Sequence, residues 1–241
     1  MLYSSIDNKK IKDIKKLNQK KYREQSKLFL VEGEHLVKEA EASGYLEYAI
    51  IEEGYDFNFN KDNMYVTDKV MKYISELENN QHIMGVCRML DSNKELGNKI
   101  LILDDIQDPG NLGTIIRSSV AFSFDTIVLS KNTVDLYNDK VIRATQGLLF
   151  NINIITCDII DFINEINSEY DIIGTRVDNG SDISMLEHKD KIALIMGNEG
   201  RGVSNEVLSL CNKFAHIKMN KNCESLNVGV AASIMLYELS K

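Results

Sequence analysis

The chain has 241 residues, of which 44% are apolar and 27% are charged, and its formal net charge is −8. This composition is typical of a folded globular protein of one or two domains, and it excludes a disordered or fibrous chain. No apolar run approaches the ~18 residues that span a bilayer, no apolar signal segment opens the chain, and the four cysteines are far apart, so we expect a cytoplasmic protein without membrane contact.

The N-terminal stretch is strongly basic. From Lys9 to Lys27 there are nine lysines and arginines and two acids, a local charge of +7, so the rest of the chain carries about −15. Ile11, Ile14 and Leu17 recur at three-residue spacing and predict an amphipathic helix. A basic stripe on an otherwise acidic protein suits a phosphate backbone, and a solvated helical face is the alternative.

The pattern up to residue 90 predicts a small α/β unit, which we expect to be a domain of residues 1–93. The predicted strands are Leu28–Val31, Tyr48–Ile51, Met64–Val66 and His82–Met89. The predicted helices are Glu34–Ala42 and Thr67–Glu78.

Polar residues dominate from Asp91 to Asn98, and a second domain, residues 97–241, is expected beyond them. Apolar strands are predicted at Ile100–Leu103, Thr126–Leu129, Ile152–Ile155, Asp171–Gly174, Ile192–Met196 and Phe214–Ile217. Helices are predicted near 112–123, 138–148, 158–168, 203–211 and 225–239. Continuous apolar strands that alternate with helices indicate a parallel sheet covered on both faces, with ligands beyond the carboxyl ends of its strands.

The loop after the first of these strands runs from Asp104 to Arg117. It contains the only proline of the chain, two glycines and Asn111 at the opening of a helix. Arg117 follows Gly113 by one helical turn on the same face, so it can point back toward the loop. A plain turn followed by a surface arginine is the alternative.

The second unusual loop runs from Met196 to Ser204, between a strand and a helix. Gly197, Gly200 and Gly202 allow a ligand to approach the backbone closely. Their G-x-x-G-x-G spacing differs from the dinucleotide fingerprint, and the lysine of a P-loop is absent, so a nicotinamide or nucleoside triphosphate site is disfavoured. A flexible loop is the alternative.

The third loop runs from Ile217 to Val230 and leads into the last helix. Ser225 or Asn227 can cap that helix, which is a purely structural reading of both residues. The helix is apolar on nearly every face, so it must be buried in its own domain or against another subunit.

In this order, the three loops resemble the signature motifs of the SpoU–TrmH family of RNA ribose methyltransferases, in the SPOUT superfamily. The matching residues are Asn111, Gly113 and Arg117 in the first loop, Gly197, Asn198, Glu199 and Gly200 in the second, and Glu224, Ser225, Leu226 and Asn227 in the third. The first ninety or so residues look like the N-terminal substrate-binding domain of that family, through the stretches Lys20–Arg23 and Leu30–Gly33.

The resemblance implies an α/β protein whose C-terminal parallel-sheet domain contains a deep trefoil knot and follows a small, ribosomal-protein-like RNA-binding domain. It implies an enzyme that transfers a methyl group from S-adenosylmethionine to a ribose 2′-hydroxyl of RNA, with large-subunit ribosomal RNA as the expected substrate. It also implies a homodimer. We expect no metal, since Asp104, Asp105 and Asp108 are ordinary turn and cap residues.

The resemblance assigns the cofactor contacts to the main chain of Gly197, Ile217 and Leu226, with Thr175 and Met219 as further candidates. RNA selectivity falls to the N-terminal domain, where Lys20, Lys21 and Arg23 are expected to contact phosphates.

Five residues are the implied catalytic set: Arg117, Asn111, Glu199, Ser225 and Asn227. An arginine stays protonated, so Arg117 is expected to act as a fixed positive charge that grips RNA and stabilises the developing alkoxide. Asn227 or Ser225 would orient the hydroxyl or the first loop, and Asn111 would orient Arg117. Glu199 would either hold the loops together or receive the proton through water.

The chain departs from the family pattern at several positions. Lys218 and Lys221 stand where proline and glycine are usual, Gly229 replaces a common serine, and Gln146 stands where a smaller residue is usual.

Three other functions compete with the main one. A transfer-RNA 2′-O-methyltransferase has the same motifs. A non-catalytic RNA-binding assembly factor is disfavoured because Asn111, Arg117, Glu199 and Asn227 are all present. A knotted enzyme that methylates a base ranks last, since such enzymes typically lack the spacing between Asn111 and Arg117.

Overall fold

The computed structural model describes residues 2–91, 95–177 and 180–241. The chain forms two compact units, unit 1 of Met1–Leu90 with Asp135–Asn151, and unit 2 of Asp91–Val134 with Ile152–Lys241. Unit 1 therefore includes a segment that a simple division at residues 93–97 assigns to the second domain. The expected boundary stretch includes residues 92–94, which lie outside the described residues, and the functional division there stays a prediction.

The elements of the first half of the chain are β1 (Leu2–Tyr3), α1 (Lys9–Lys16), α2 (Lys20–Ser26), β2 (Leu28–Glu32), α3 (Glu34–Ala42), β3 (Leu46–Glu52), β4 (Asn63–Val66), α4 (Asp68–Ile74), β5 (Ile83–Arg88), β6 (Lys99–Asp104) and α5 (Pro109–Ala121). Those of the second half are β7 (Thr126–Ser130), α6 (Asp139–Thr145), β8 (Asn153–Cys157), α7 (Ile159–Ile166), β9 (Asp171–Thr175), β10 (Ser181–Asp182), β11 (Ile192–Gly197), α8 (Asn205–Leu208), β12 (Lys213–His216) and α9 (Val228–Ser240). Short 3₁₀ turns lie at Leu148–Asn151 and Ile183–Met185.

Unit 1 is built on a mixed five-stranded sheet in the order β1-β4-β3-β5-β2. Helix α1 forms as predicted, and Ile11, Ile14 and Leu17 are buried on its inner face. Helix α2 was not predicted, because its sequence lacks an apolar stripe. The ring of Phe29 packs on those of Tyr137 and Phe150, at centroid distances of 4.7 and 6.2 Å, and these contacts join the segment 135–151 to unit 1.

Unit 2 is built on a seven-stranded, all-parallel sheet in the order β10-β12-β9-β11-β6-β7-β8, which confirms the predicted parallel sheet. Ile100 and Ile102 of β6 and Ile195 of β11 are fully buried on one face, against Phe162 and Ile163 of α7. On the opposite face, α9 packs against α5 and contacts β11. Both faces of the sheet are therefore covered, which is why its strands are continuously apolar.

Several predicted boundaries are wrong by a few residues. The helix expected near 138–148 ends at Thr145 because Gln146 and Gly147 adopt left-handed φ values of 53° and 84°. The helix expected over 203–211 is reduced to α8. The last helix begins only after Asn227, whose side chain caps it. Among the residues that the structure describes, no helix has the length and apolar character needed to cross a bilayer.

Candidate active site at the carboxyl end of the parallel sheet

Three segments meet where β6, β11 and β12 end. We call residues 104–117 the motif 1 segment, residues 196–204 the motif 2 segment and residues 217–230 the motif 3 segment. Strands β6 and β11 pair in parallel with Gly197 opposite Asp104, so the first two segments leave the sheet side by side. The carboxyl ends of parallel strands are the usual ligand-binding edge of such a sheet.

The motif 1 segment is shaped by its caps. The carboxylate of Asp108 accepts a hydrogen bond of 2.8 Å from the main-chain amide of Asn111, and Pro109 is the first residue of α5. A proline fits this position because its missing N–H would have no partner within the helix. The cap therefore fixes Asn111 in the first turn of α5, with its side chain free for other partners.

The motif 2 segment is a tight loop that depends on glycine. Asn198 and Gly202 exchange two main-chain hydrogen bonds of 2.9 and 3.0 Å, and Gly202 has a φ of +69°. A Cβ atom on Gly197 would lie 2.1 Å from the backbone of Gly202 and Val203, so no larger residue fits there. The amide of Asn198 donates to the carbonyl oxygen of Asp105 (2.8 Å), which ties this loop to the motif 1 segment.

One hydrogen-bonded chain links all three segments. The side-chain amide of Asn227 donates to the Oδ1 atom of Asn111 (2.9 Å), and the side-chain amide of Asn111 donates to Glu199 (3.0 Å). The carboxylate of Glu199 also accepts from the main-chain amides of Asp108 (3.0 Å) and Gln107 (3.2 Å). Residues from far-apart parts of the chain are thus held in one arrangement.

The carboxylate of Glu199 is charged in this arrangement. Partial burial raises its pKa, but the hydrogen bonds from the Asn111 side chain and from the amides of Asp108 and Gln107 outweigh burial, and the net pKa is lowered. A lowered pKa makes the carboxylate a weak base. Of the two predicted roles for Glu199, the geometry favours holding the loops together.

A cavity of about 590 Å³ opens beside this network. All five predicted cofactor-binding residues line it: Thr175, Gly197, Ile217, Met219 and Leu226. Glu199 and Ser225 of the predicted catalytic set line it too. The hydroxyl of Thr175 donates to the carbonyl oxygen of Ile195 (2.8 Å), which fixes its rotamer at the cavity wall.

Arg117 lies on the exposed face of α5 and is not among the residues that line the cavity. Its guanidinium makes no hydrogen bond or ion pair with any other described residue. Asn111 makes its hydrogen bonds with Asn227 and Glu199, so the expected contact by which Asn111 would orient Arg117 is not formed. Within the described part of the chain Arg117 is therefore a cation without a partner, and its role in catalysis stays a prediction.

The predicted phosphate contacts of unit 1 need one correction. Lys20 and Lys21 are exposed, but Arg23 is buried, donates to the carbonyl oxygen of Leu17 (2.8 Å) and forms an ion pair with Asp135. A buried, paired guanidinium stabilises unit 1 and cannot reach a phosphate. The sequence showed Arg23 only as part of a basic run, and nothing in that run marks which cation turns inward.

Some cavity residues were missed by sequence reasoning. Arg176 lines the cavity and its guanidinium lies 3.7 Å from the ring centre of Phe214. Arg201 lines it as well and pairs with Asp105. Arg176 follows β9 and Arg201 lies in the motif 2 segment, both of which were predicted. A single arginine is not part of a recognisable motif, so the sequence did not mark either residue. Among the described residues, no group of three or more His, Cys, Asp or Glu side chains is arranged to hold a metal.

Known protein families match both parts of this chain. The model of the SpoU rRNA Methylase family matches residues 98–237, and that of the MRM3-like substrate binding domain matches residues 8–85. The chain is 34% identical, over 98% of its length and 97% of the relative, to the 23S rRNA (guanosine(2553)-2′-O)-methyltransferase RlmP of Bacillus subtilis (strain 168).

Solved structures show the same architecture along the whole chain. The AdoMet-bound rRNA methyltransferase of Sinorhizobium meliloti has a TM-score of 0.87 and 28% identity, with 99% of this chain and 96% of that chain covered. A structure described as an RNA 2′-O ribose methyltransferase has a TM-score of 0.83 and 25% identity, with 99% and 97% covered.

The chain belongs to the SpoU rRNA methylase family. This membership confirms the family and the enzyme class predicted from the three motifs, an RNA 2′-O-methyltransferase. The predicted use of S-adenosylmethionine as methyl donor is confirmed at the level of the family.

The cavity fits S-adenosylmethionine on observations of this chain. Its volume is within the range of about 300–1,000 Å³ that small-molecule sites occupy. Leu226 lines it and makes no main-chain hydrogen bond with any other described residue, so its amide and carbonyl are available to a ligand. The lining combines apolar side chains such as Ile217, Met219 and Leu226 with polar groups, and this combination suits an adenosine and a charged amino-acid group.

Proposed function

We propose that this protein methylates the ribose 2′-hydroxyl of a guanosine in 23S ribosomal RNA, with S-adenosylmethionine as the methyl donor. The observation that carries the proposal is the hydrogen-bonded chain Asn227–Asn111–Glu199, which joins the three motif segments beside a cavity of about 590 Å³. The choice of 23S ribosomal RNA and of guanosine is supported by the Bacillus subtilis relative, which matches nearly the full length of both chains.

The chain's own residues have to place the hydroxyl and stabilise negative charge. When bound, S-adenosylmethionine supplies an activated methyl group on a sulfonium, so no covalent enzyme intermediate is required. Ser225 lines the cavity at the motif 3 segment, where its hydroxyl is positioned to orient the ribose. Asn111, Asn227 and Glu199 hold the segments in register, which is catalysis by positioning.

Arg117 supplies the fixed positive charge in this proposal. The hydroxyl proton leaves to solvent water, and an arginine side chain, as a fixed cation, stabilises the alkoxide that develops there. Since Arg117 makes no ion pair with another described residue, its charge is not neutralised before RNA binds. Exposure on α5 and absence from the lining of its own chain's cavity favour delivery of Arg117 to the cavity of a second copy.

A homodimer is the oligomeric state we propose. Val230 and Tyr237 are about half exposed, at 48% and 49%, and lie on the same side of α9, where an apolar surface is costly in water. Helix α9 packs against α5, which carries Arg117, so a dimer formed through this surface brings the arginine close to the partner copy. A monomer in sedimentation analysis at micromolar concentration would contradict this.

We also propose that the motif 2 and motif 3 segments form a deep trefoil knot. The strand order supports it, because β11 enters the sheet between β6 and β9, which both precede it in sequence. We place the protein in the cytoplasm, a compartment that suits its four free cysteines.

The deciding experiment is methyl transfer to RNA. The full-length protein is incubated with labelled S-adenosylmethionine and, separately, with unmodified 23S ribosomal RNA and total transfer RNA, and the label is mapped to the nucleotide. We expect label on one guanosine ribose of 23S ribosomal RNA. Label on transfer RNA alone would identify the alternative substrate, label on a base would refute ribose chemistry, and tight RNA binding without label would favour a non-catalytic assembly factor.

A further inference from the structure

Most lysines and arginines that the structure describes in unit 2 have a polar partner within that unit. Among the lysines and arginines that the structure describes there, most form an ion pair or donate to a carbonyl oxygen, as do Lys99, Lys131, Lys189, Lys191, Arg201, Lys213 and Lys241. Arg117, Arg176, Lys218 and Lys221 have no such contact with a described residue. All four are in or beside the segments that form the candidate active site.

Lys218 and Lys221 are in the motif 3 segment. Ile217 and Met219, on either side of Lys218, both line the cavity, whereas Lys218 is exposed and does not. Because Lys218 is exposed between two residues that line the cavity, it lies beside the cavity and in contact with solvent. Its ammonium is thus at the rim, where an RNA strand would pass.

Lys221 is held at the tip of a turn. The carbonyl oxygen of Asn220 accepts from the amide of Cys223 (2.9 Å), and the side chain of Asn220 accepts from the amide of Asn222 (2.9 Å). Lys221 is not among the residues with positive φ, so this turn has no need for the glycine usual there in the family. The lysine therefore adds an exposed charge without backbone strain.

Lys218 and Lys221 lie outside the lining of the cofactor cavity, which suits contact with RNA better than contact with the cofactor. Neither lines the cavity, so neither is placed to hold the carboxylate of S-adenosylmethionine. Lys221 is four residues from Ser225, a chain distance of at most about 14 Å. The charge of Lys218 contributes to the lowered pKa of Asp182, but neither lysine forms an ion pair with a described residue. On a protein with a net charge of −8, two such lysines at this edge are an electrostatic contact for a polyanion.

We infer that Lys218 and Lys221 form a phosphate-binding site for the RNA strand that carries the target ribose. The site rests on the proposed function, because it requires RNA at this cavity. It lies in unit 2, whereas the lysines proposed to contact RNA in unit 1 are Lys20 and Lys21, and the proline and glycine usual in the family at these two positions would carry no charge. Its role is to hold the backbone close to the target nucleotide while unit 1 contributes selectivity.

The test is RNA affinity as a function of salt, measured on the full-length protein. Binding of an unmodified 23S ribosomal RNA transcript is followed by filter binding from about 50 to about 200 mM KCl. For the double variant Lys218→Gln/Lys221→Gln we expect Kd to rise about tenfold near physiological salt and the slope of log Kd against log salt to fall by about 1.5. Calorimetry with S-adenosylhomocysteine should give the same Kd as the wild type.

Two further variants make the result specific. Lys131→Gln/Lys191→Gln removes the same charge from ion-paired lysines of unit 2, of which Lys131 is exposed and Lys191 half-buried, and should leave RNA affinity and its salt slope unchanged. Lys218→Arg/Lys221→Arg keeps the charge and should bind RNA as the wild type does. The inference is overturned if the two glutamine variants weaken RNA binding equally, if neither does, or if S-adenosylhomocysteine affinity falls in proportion to RNA affinity.

The outcomes also separate this site from the proposed function. A wild-type protein that transfers methyl to 23S ribosomal RNA while the double variant binds RNA unchanged would refute the phosphate site alone. A wild-type protein that binds this RNA through Lys218 and Lys221 but transfers no methyl group would refute the enzymatic activity and support the phosphate site.

Discussion

Positive charge is arranged differently in the two compact units. On α1 of unit 1, three lysines have a carboxylate oxygen 2.7–2.8 Å from the ammonium, in the pairs Lys12–Asp7, Lys15–Glu76 and Lys16–Asp13. In the motif segments of unit 2, Arg117, Lys218 and Lys221 have no carboxylate partner among the described residues. Among the described residues, unit 1 therefore pairs many lysines of α1 but leaves others, such as Lys9 and Lys21, without an ion pair. In unit 2 the described cations with neither an ion pair nor a carbonyl partner lie at the candidate active site.

The contrast shows why a count of charges does not locate an RNA contact. The run from Lys9 to Lys27 carries +7 in sequence, yet Arg23 within it is 5% exposed and paired with Asp135. The residues next to Arg117 in sequence are uncharged, yet Arg117 is exposed and forms no ion pair with a described residue. Burial and pairing decide which cation is available, and both depend on contacts between distant residues.

The largest effect is expected from Arg117→Ala. Loss of an unpaired charge that stabilises the developing alkoxide should lower kcat for methyl transfer by about 10²–10³-fold. Because the guanidinium is exposed and contacts no described residue, the melting temperature and the affinity for S-adenosylhomocysteine should match the wild type. Turnover within tenfold of the wild type would refute the role.

A mixing experiment tells which subunit supplies Arg117. In Leu226→Arg, the new cation in the cavity wall repels a sulfonium, so that variant should also be inactive. If Arg117 acts in the partner's cavity, mixing Arg117→Ala with Leu226→Arg restores one intact site in each mixed dimer. If it acts within its own chain, the mixture stays inactive.

Arg23→Ala tests the opposite prediction for unit 1. Breaking this largely buried ion pair and its hydrogen bond to Leu17 should lower the free energy of unfolding by about 2 kcal/mol. RNA affinity, measured below the melting transition, should be unchanged. Weaker RNA binding with unaltered stability would show that Arg23 contacts phosphate after all.

Glu199→Gln probes the chain of hydrogen bonds between the segments. The carboxylate accepts from three donors, and an amide places its own N–H₂ against one of them, so kcat should fall about tenfold. Cofactor affinity should change less than kcat, because Asn111 and Asn227, which move when the hydrogen bonds of Glu199 change, do not line the cofactor cavity.

The pH profile distinguishes positioning by Glu199 from a merely structural role. Since its folded pKa is lowered, the carboxylate's contribution is present above the ordinary glutamate pKa and is lost only as pH falls through the lowered value. The wild type should therefore lose kcat on the acid side below about pH 4.3. In Glu199→Gln this acid loss should be absent, and its persistence would contradict the assignment.

The smallest effect is expected on RNA affinity when two pairs of lysines within unit 1 are replaced in turn. Lys20→Gln/Lys21→Gln should raise the Kd for 23S ribosomal RNA about threefold, with a salt slope lower by about 1. Lys12→Gln/Lys16→Gln removes lysines whose ion pairs are closer, at 2.8 Å each against 3.9 Å for Lys20–Glu24, and should change both quantities less. Equal effects would mean that exposed ion pairs on α1 open to bind phosphate, and the comparison between the units would fail.

Much of the fold could be predicted from local patterns. Six strands of unit 2 are continuous apolar runs between helices, so their order in sequence and their parallel direction follow from the pattern. The seventh, β10, was missed because its two residues, Ser181 and Asp182, are polar and too short to show a pattern. The helix ends were less predictable, because they depend on single residues such as the left-handed Gln146. Helix α2 was missed because its exposed, polar sequence shows no periodicity.

The candidate site was predicted as a set of residues but not as a geometry. All predicted cofactor contacts line one cavity. They could be predicted because the three motifs are short runs of residues that can be recognised in the sequence. The partner of Asn111 was expected to be Arg117 and is instead Glu199 with Asn227. A side chain's partner across 88 or more residues of sequence has no local signal.

By itself, the sequence determined the α/β class, the parallel sheet and the three loops at its carboxyl edge, because periodicity and glycine placement are properties of short segments. Only the tertiary structure decided which cations are free, which strand lies between β6 and β9, and that residues 135–151 pack with unit 1. These depend on burial and ion pairing between residues far apart in the chain, and such long-range contacts leave no trace in local composition.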